Sequence, residues 1–206
     1  MVNPVTALEL ADWRRETGAL YALARGQADP AAAHALWRDG RDRMMRSHPQ
    51  SPLPAASPLR ASGVPYWPYD PALRWALPVE PVSDPQRLEI DTGPDGVTRY
   101  EQAGWLTLPD PVGRRLALWW LDQYGGGLFL PVRDATAGGA SYGGGRYLLD
   151  TAKGADLGSA GDALIVDLNF LYHPSCRYDD RWVCPLAPSG NTIDVPIPAG
   201  ERLAPL

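Results

Sequence analysis

The chain has 206 residues, of which 45% are apolar and 21% charged, with 21 glycines, 22 prolines and a formal charge of −5. This length suits one large domain, or one with a helical appendage, and the apolar share excludes wholesale disorder. An acidic balance, with only a modest basic cluster at residues 38–46, excludes nucleic acid as an expected partner.

No apolar run approaches the roughly 18 to 20 residues needed to cross a bilayer, so no membrane association is expected. The opening MVNPVTALELADWRRE lacks the basic flank and apolar core of a secretory signal, which points to the cytoplasm. In that reducing setting Cys176 and Cys184 are expected as thiols.

The first 47 residues read as a helical arm. Thr6-Ala7-Leu8-Glu9 has the form of a capping box, and the helix it opens runs to Gly26. Asp29-Pro30 then reads as N-cap and first helical residue of a second helix reaching about Ser47. The charges within 37–43 are expected on a solvated face, His34 at a surface or interface, and His48 in the following connector. Residues 48–71 are proline-studded and read as an extended connector, with Tyr66, Trp67 and Tyr69 packed onto the body.

Residues 72–206 read as a β-rich domain with site loops toward the C-terminus. Strand-like runs fall at 73–79, 87–92, 97–102, 104–108, 115–121, 128–132, 147–149 and 163–168. Turns are expected at Pro94-Asp95-Gly96, Asp110-Pro111-Val112-Gly113 and Gly125-Gly126-Gly127. Short strands with such punctuation predict a mainly β fold, an antiparallel sandwich or barrel, α+β overall with the helical arm.

Polar residues concentrate in RDATAGGASYGGGR (133–146) and DLNFLYHPSCRYDDRWVCPL (167–186). GGGR fits neither phosphate-loop spacing nor a dinucleotide fingerprint, and a strand-like run follows it. It therefore reads as a turn that delivers Arg146, either to an anion or to an internal carboxylate, Asp134 or Asp167. The candidate ligand-binding set is Asp134, Thr136, Tyr142, Arg146, Asp167, Asn169 and Tyr172. Cys176 and Cys184 read as a structural pair. Zinc lacks a good fourth ligand beside these cysteines and His173, so no metal is expected. No cofactor motif occurs. Ser141, His173 and Asp134 make a triad only on paper, without a nucleophile elbow.

Together Asp134-Ala135-Thr136, Ser141 to Leu148, Asp167-Leu168-Asn169, Tyr172 to Tyr178, Cys184-Pro185-Leu186, Asn191 and Ala199-Gly200-Glu201 resemble a bacterial family, domain of unknown function 1684. The resemblance covers roughly the C-terminal third and implies a site-like neighbourhood without a reaction. The chain departs from it at Ser141, Leu168 and His173, where Thr, Phe and Asn are usual. The function expected is binding of a small polar or anionic molecule in a pocket around Arg146. The alternatives are a hydrolase or thiol-dependent enzyme using Cys176 or Asp134 with Asp167, and a structural interaction protein. Oligomeric state is not readable.

Overall fold

The computed structural model describes residues 3–93 and 96–204. Helix α1 spans Pro4–Arg25 and α2 spans Pro30–Ser47. Both begin alike: Asn3 and Asp29 cap with side-chain oxygens that accept from the amides of Val5 and Ala31, and a proline follows each cap. The N-cap oxygen satisfies an amide that helix geometry leaves free, and proline at the first position has no amide to waste. The capping box expected at Thr6 is thus displaced, because Asn3-Pro4 already starts the helix.

The connector carries a one-turn helix α3, Leu59–Ser62, and otherwise lies against the body, with Leu53, Val64 and Tyr66 buried. Two antiparallel sheets follow. Strands β2 (Arg87–Asp91), β3 (Val97–Leu108), β4 (Arg114–Leu121), β5 (Leu128–Val132) and β6 (Arg146–Asp150) form a meander in that order. A smaller sheet has the order β1 (Arg74–Pro78), β8 (Ala163–Asp167), β7 (Ser159–Ala160). Neither sheet closes, so the fold is α+β with two open sheets and the barrel alternative is set aside.

Two strands expected at 97–102 and 104–108 are one strand, with a register shift between Gln102 and Gly104. A bulge of this kind lets a long strand bend without ending. In the turn expected at 94–96, Pro94 and Asp95 lie outside the described residues, while Gly96 takes a φ of 81°.

Alternation along the strands separates two cores. Leu106, Leu116, Leu118, Leu130 and Leu148 face a large cluster shared with both helices, the connector and the small sheet. Ala117, Trp119, Phe129 and Tyr147 face the other side. That second face is covered by the carboxyl-terminal segment. Asn191 accepts from Trp119 Nε1 and donates to the Ala117 carbonyl, both at 2.8 Å. The helices dock through aromatic rings: Trp37 meets Phe170 at 5.0 Å and Tyr66 at 5.9 Å between centroids. Among the described residues no helix is long and apolar enough to cross a membrane.

Candidate functional site

Arg146 is the first residue of β6, set by the glycine turn before it. Gly145 has a φ of 89°, and a Cβ there would stand 2.7 Å from the Val132 carbonyl oxygen. Only glycine suits both the left-handed backbone and the close approach. The guanidinium that follows is fully buried. Its Nη2 donates to Asp134 Oδ1 and to the Ile197 carbonyl, each at 2.9 Å. Its Nη1 donates to the Ala199 carbonyl and, at 3.1 Å, to that of Glu201. The group lies 5.1 Å from the Trp67 ring centre. Burial pulls the Arg146 pKa below its ordinary value, against the opposing pull of Asp134 and Glu201. Asp134 is equally engaged, its Oδ2 accepting from the amides of Thr136 (3.1 Å) and Ile197 (2.7 Å). Of the two destinations expected for Arg146, the internal carboxylate is occupied: the arginine ties the 197–201 segment to β6.

The remaining candidates fall into separate neighbourhoods. Thr136 and Ser141 share a hydroxyl–hydroxyl contact at 2.8 Å beside Asp134. Asp167 and Asn169, at the end of β8, face the connector instead. Asp167 accepts from the Asn169 amide and side chain and from the Tyr69 hydroxyl, with Arg74 Nε at 3.6 Å. Asn169 pairs with both backbone groups of Asp70. Neither residue hydrogen-bonds Arg146. Burial raises the Asp167 carboxyl, and its hydrogen bonds and Arg74 oppose that shift. Tyr172 bridges the two cores, exchanging backbone bonds with Tyr147 while Arg41 lies 4.8 Å from its ring centre.

A second buried ion pair was not legible among the candidates. Glu201 is fully buried, and its Oε1 accepts from Arg41 Nε at 2.5 Å and from the Tyr66 hydroxyl at 3.2 Å. Its Oε2 accepts from the His173 amide at 2.6 Å and the Tyr178 hydroxyl at 3.2 Å. Burial pushes this carboxyl up, but Arg41, His173 and the hydrogen bonds outweigh it, so its pKa stays below the ordinary glutamate value. Arg41 therefore does not sit on a solvated face as expected. One signal pointed to it: Trp37 lies four residues earlier, on the same side of α2, and is itself 1% exposed.

His34, expected at a surface or interface, and His48, expected in the connector, are both buried. His34 stands among the rings of Trp37, Tyr66, Tyr69 and Phe170. His48 caps the end of α2 and lies in a T-shaped contact with Trp13. His173 Nε2 accepts from the Tyr142 amide at 3.2 Å, so in the neutral ring Nδ1 carries the proton, 3.5 Å from Glu201. Burial, reinforced by surrounding arginines and opposed by Glu201, lowers the His173 pKa to about 4. With Asp134 held by Arg146 and His173 Nε2 occupied, the paper triad has no working base.

Asp12, Glu16 and His48 place ligand atoms within 4.8 Å of one another. His48 Nδ1 accepts from the Gln50 amide at 3.0 Å, which leaves the proton on Nε2, facing Asp12 at 3.8 Å. A metal-bound histidine normally donates through its other nitrogen, so this tautomer suits a hydrogen bond better than a cation.

Cavities open next to the buried pairs. One of about 490 Å³ lies between the connector and the carboxyl-terminal loops. Leu53, Pro54, Pro58, Leu59, Val64 and Pro65 form its apolar wall, and His173, Arg177, Tyr178 and Arg202 face them. Among the described residues no carboxylate side chain lines it. Neither Arg177 nor Arg202 is in an ion pair among the described residues; the Arg202 side chain makes one hydrogen bond there, Nε to the Tyr66 carbonyl at 3.3 Å. A second cavity, about 290 Å³, includes Arg25, Arg74 and Asp167, but there Arg25 faces Asp156 and Arg74 faces Asp167.

No curated protein matches the chain. A solved relative does: the solution NMR structure of an uncharacterised protein from Haloarcula marismortui is 33% identical, covers 81% of this chain and 90% of its own, and superposes with a TM-score of 0.55. Residues 61–202 match the family described as "Protein of unknown function (DUF1684)", a span that takes in the end of the connector, both sheets, the Arg146–Asp134 pair and Glu201, but not its partner Arg41. The chain belongs to that family.

Proposed function

We propose that the protein binds a small organic anion with an apolar body, in the cavity between the connector and the loops bearing Arg177 and Arg202. The observation that carries this reading is the pair of guanidiniums that have no counter-charge among the described residues, opposite an apolar wall. Arginine offers five donors in a planar fork suited to carboxylate or phosphate, and unpaired donors beside an apolar hollow are what an amphipathic anion completes. The size falls within the usual range for small-ligand sites, about 300–1,000 Å³. Glu201 lies behind the cavity, but Arg41 neutralises it, so the local field stays positive.

In this reading Arg146 positions the site and does not touch the ligand. It holds the Ala199 and Glu201 carbonyls, and the residue after Glu201 is Arg202. The cavity holds rather than transforms, because its two best acid–base groups are engaged: His173 Nε2 accepts an amide, and the Tyr178 hydroxyl donates to Glu201.

Octanoate and octanol make the test, with calorimetry as the readout. Octanoate should bind and octanol should bind far more weakly. Arg177→Ala and Arg202→Ala should each lose about tenfold, the scale of one charge-assisted hydrogen bond. Arg87→Ala, on the outer sheet edge, should change nothing. Equal binding of acid and alcohol, or an Arg177/Arg202 double variant with unchanged affinity, would overturn the reading.

A further inference from the structure

The two edges of the large sheet differ. At β6 the edge is closed, because Tyr147 exchanges both backbone bonds with Tyr172. At the opposite edge lies β2, whose pairing with β3 is bracketed by two bonds: the Gln102 amide donates to the Gln86 carbonyl, and the Thr92 amide to that of Gly96. Antiparallel bonds recur at every second residue, so Leu88 and Ile90 bond β3 while the amides and carbonyls of Arg87, Glu89 and Asp91 point outward. Among the described residues no other segment bonds these outward groups.

Side chains alternate in step. Leu88 and Ile90, partly buried, pack on the second core, and Arg87, Glu89 and Asp91 lie exposed on the other face. There Arg87 Nη2 stands 3.0 Å from Glu101, and Arg99 Nε donates to Glu89 at 3.0 Å. The outermost row thus carries a cation and an anion two positions apart, each backed by its opposite on β3.

We propose that β2 is a self-association edge, where a second copy adds its own β2 antiparallel across a two-fold axis at Leu88 and the two sheets become continuous. The charges select this register. With Leu88 on the axis, Arg87 faces the partner's Glu89 and Glu89 faces the partner's Arg87, and these are the residues whose backbone groups point outward to pair. Each row then alternates in sign from Glu101 through Arg87 to the partner's Glu89 and the partner's Arg99. Opposite charges directly across strands stabilise a sheet, and a two-fold contact makes each pair twice. On the other face Leu88 meets the partner's Leu88 and extends the second core. An axis at Glu89 would instead set that carboxylate against itself. Pro85, without an amide for the partner's Asp91, limits the pairing to a short stretch, which suits a weak dimer. No β2 residue lines the cavity beside Arg177 and Arg202, so self-association and anion binding are separable.

Sedimentation of the whole protein from about 1 μM to about 1 mM, the range of transient affinities, should show monomer passing to dimer. Arg87→Glu and Glu89→Arg should each weaken the dimer at least about tenfold by opposing like charges. Mixed in equal parts the two variants should dimerise again, because one chain then presents only acids at 87 and 89 and the other only bases. Amide hydrogen exchange locates the contact: Arg87 and Glu89 should be protected at high concentration and exchange freely at low. Should a charge variant misfold, Glu89→Pro removes an outward amide, spares the β3 ladder and should abolish the dimer. A wild type monomeric throughout, its edge left to solvent or to some extended peptide, would overturn the proposal. So would a dimer indifferent to these variants, a mixture that stays monomeric, or a dimer whose Arg87 and Glu89 amides exchange freely.

Discussion

Arg146 shows what a single buried charge demands of its neighbours. Its four donations tie Asp134 and three carbonyls that have few other partners, so removing the guanidinium strands a carboxylate in the interior. Arg146→Met should cost about 3–5 kcal/mol by urea unfolding, mostly from the uncompensated Asp134. Adding Asp134→Leu should recover part of that loss, because removing both partners is cheaper than removing one. A single variant within about 1 kcal/mol of wild type would contradict this account. The residues were visible in the sequence, and so was the choice between an anion and an internal carboxylate. What no local pattern encoded was the length of the contact list: Ile197, Ala199 and Glu201 contribute backbone oxygens, which carry no residue-type signature. Glu201 and Arg41 were harder still, being 160 positions apart, with the arginine inside a run of charges that resembles a wetted helix face.

At the scale of elements, helix starts, most strands and the glycine turn were legible because each has a local cause. The two Asx-Pro caps, the period-two burial and the Gly-rich turns are sequence-near physics. The long β3 was split because Gly104 mimics a boundary, and β7 has only two residues, too few for any period to show. The GGGR turn gives a graded prediction. Gly145→Ala should destabilise by about 2–4 kcal/mol, since it combines left-handed backbone with a clash on Val132. Gly143→Ala, whose nearest neighbours would stand 3.8 Å away, should stay within about 0.5 kcal/mol. Thermal melts of the pair settle it, and equal losses would mean the turn works differently. Gly200 belongs to the same class as Gly145: at φ 72° its missing Cβ lets the Leu171 carbonyl approach.

For the molecule as a whole, two histidines at the junction of helices and body set the acid limit. Burial lowers His34 to about 4, helped by Arg38, and lowers His173 to about 4 as well. Unfolded histidine titrates near about 6.5. Between those values the unfolded chain binds protons that the folded one refuses, so stability is full above about pH 6.5 and falls as pH drops toward 4. Both groups together give a slope of at most about 2.7 kcal/mol per pH unit. Asp42 and Asp167, raised by burial, act in the opposite sense at lower pH, so the clearest window is the upper part of this range. His173→Asn, which adopts the family's usual residue and keeps an acceptor for the Tyr142 amide, should about halve the slope in urea midpoints. A flat profile from pH 6.5 to 5 would refute the assignment. None of this could be read beforehand, because burial of an isolated histidine depends on contacts among distant parts of the chain.

The pairing of Arg41 with Glu201 also has a consequence for synthesis. Translation at about 5–20 residues per second puts roughly 8 to 32 seconds between the emergence of one partner and the other. Throughout that interval Arg41 lacks the carboxylate that holds it in the folded protein. The native burial of Arg41 against Glu201 can therefore be completed only after residue 201 has emerged.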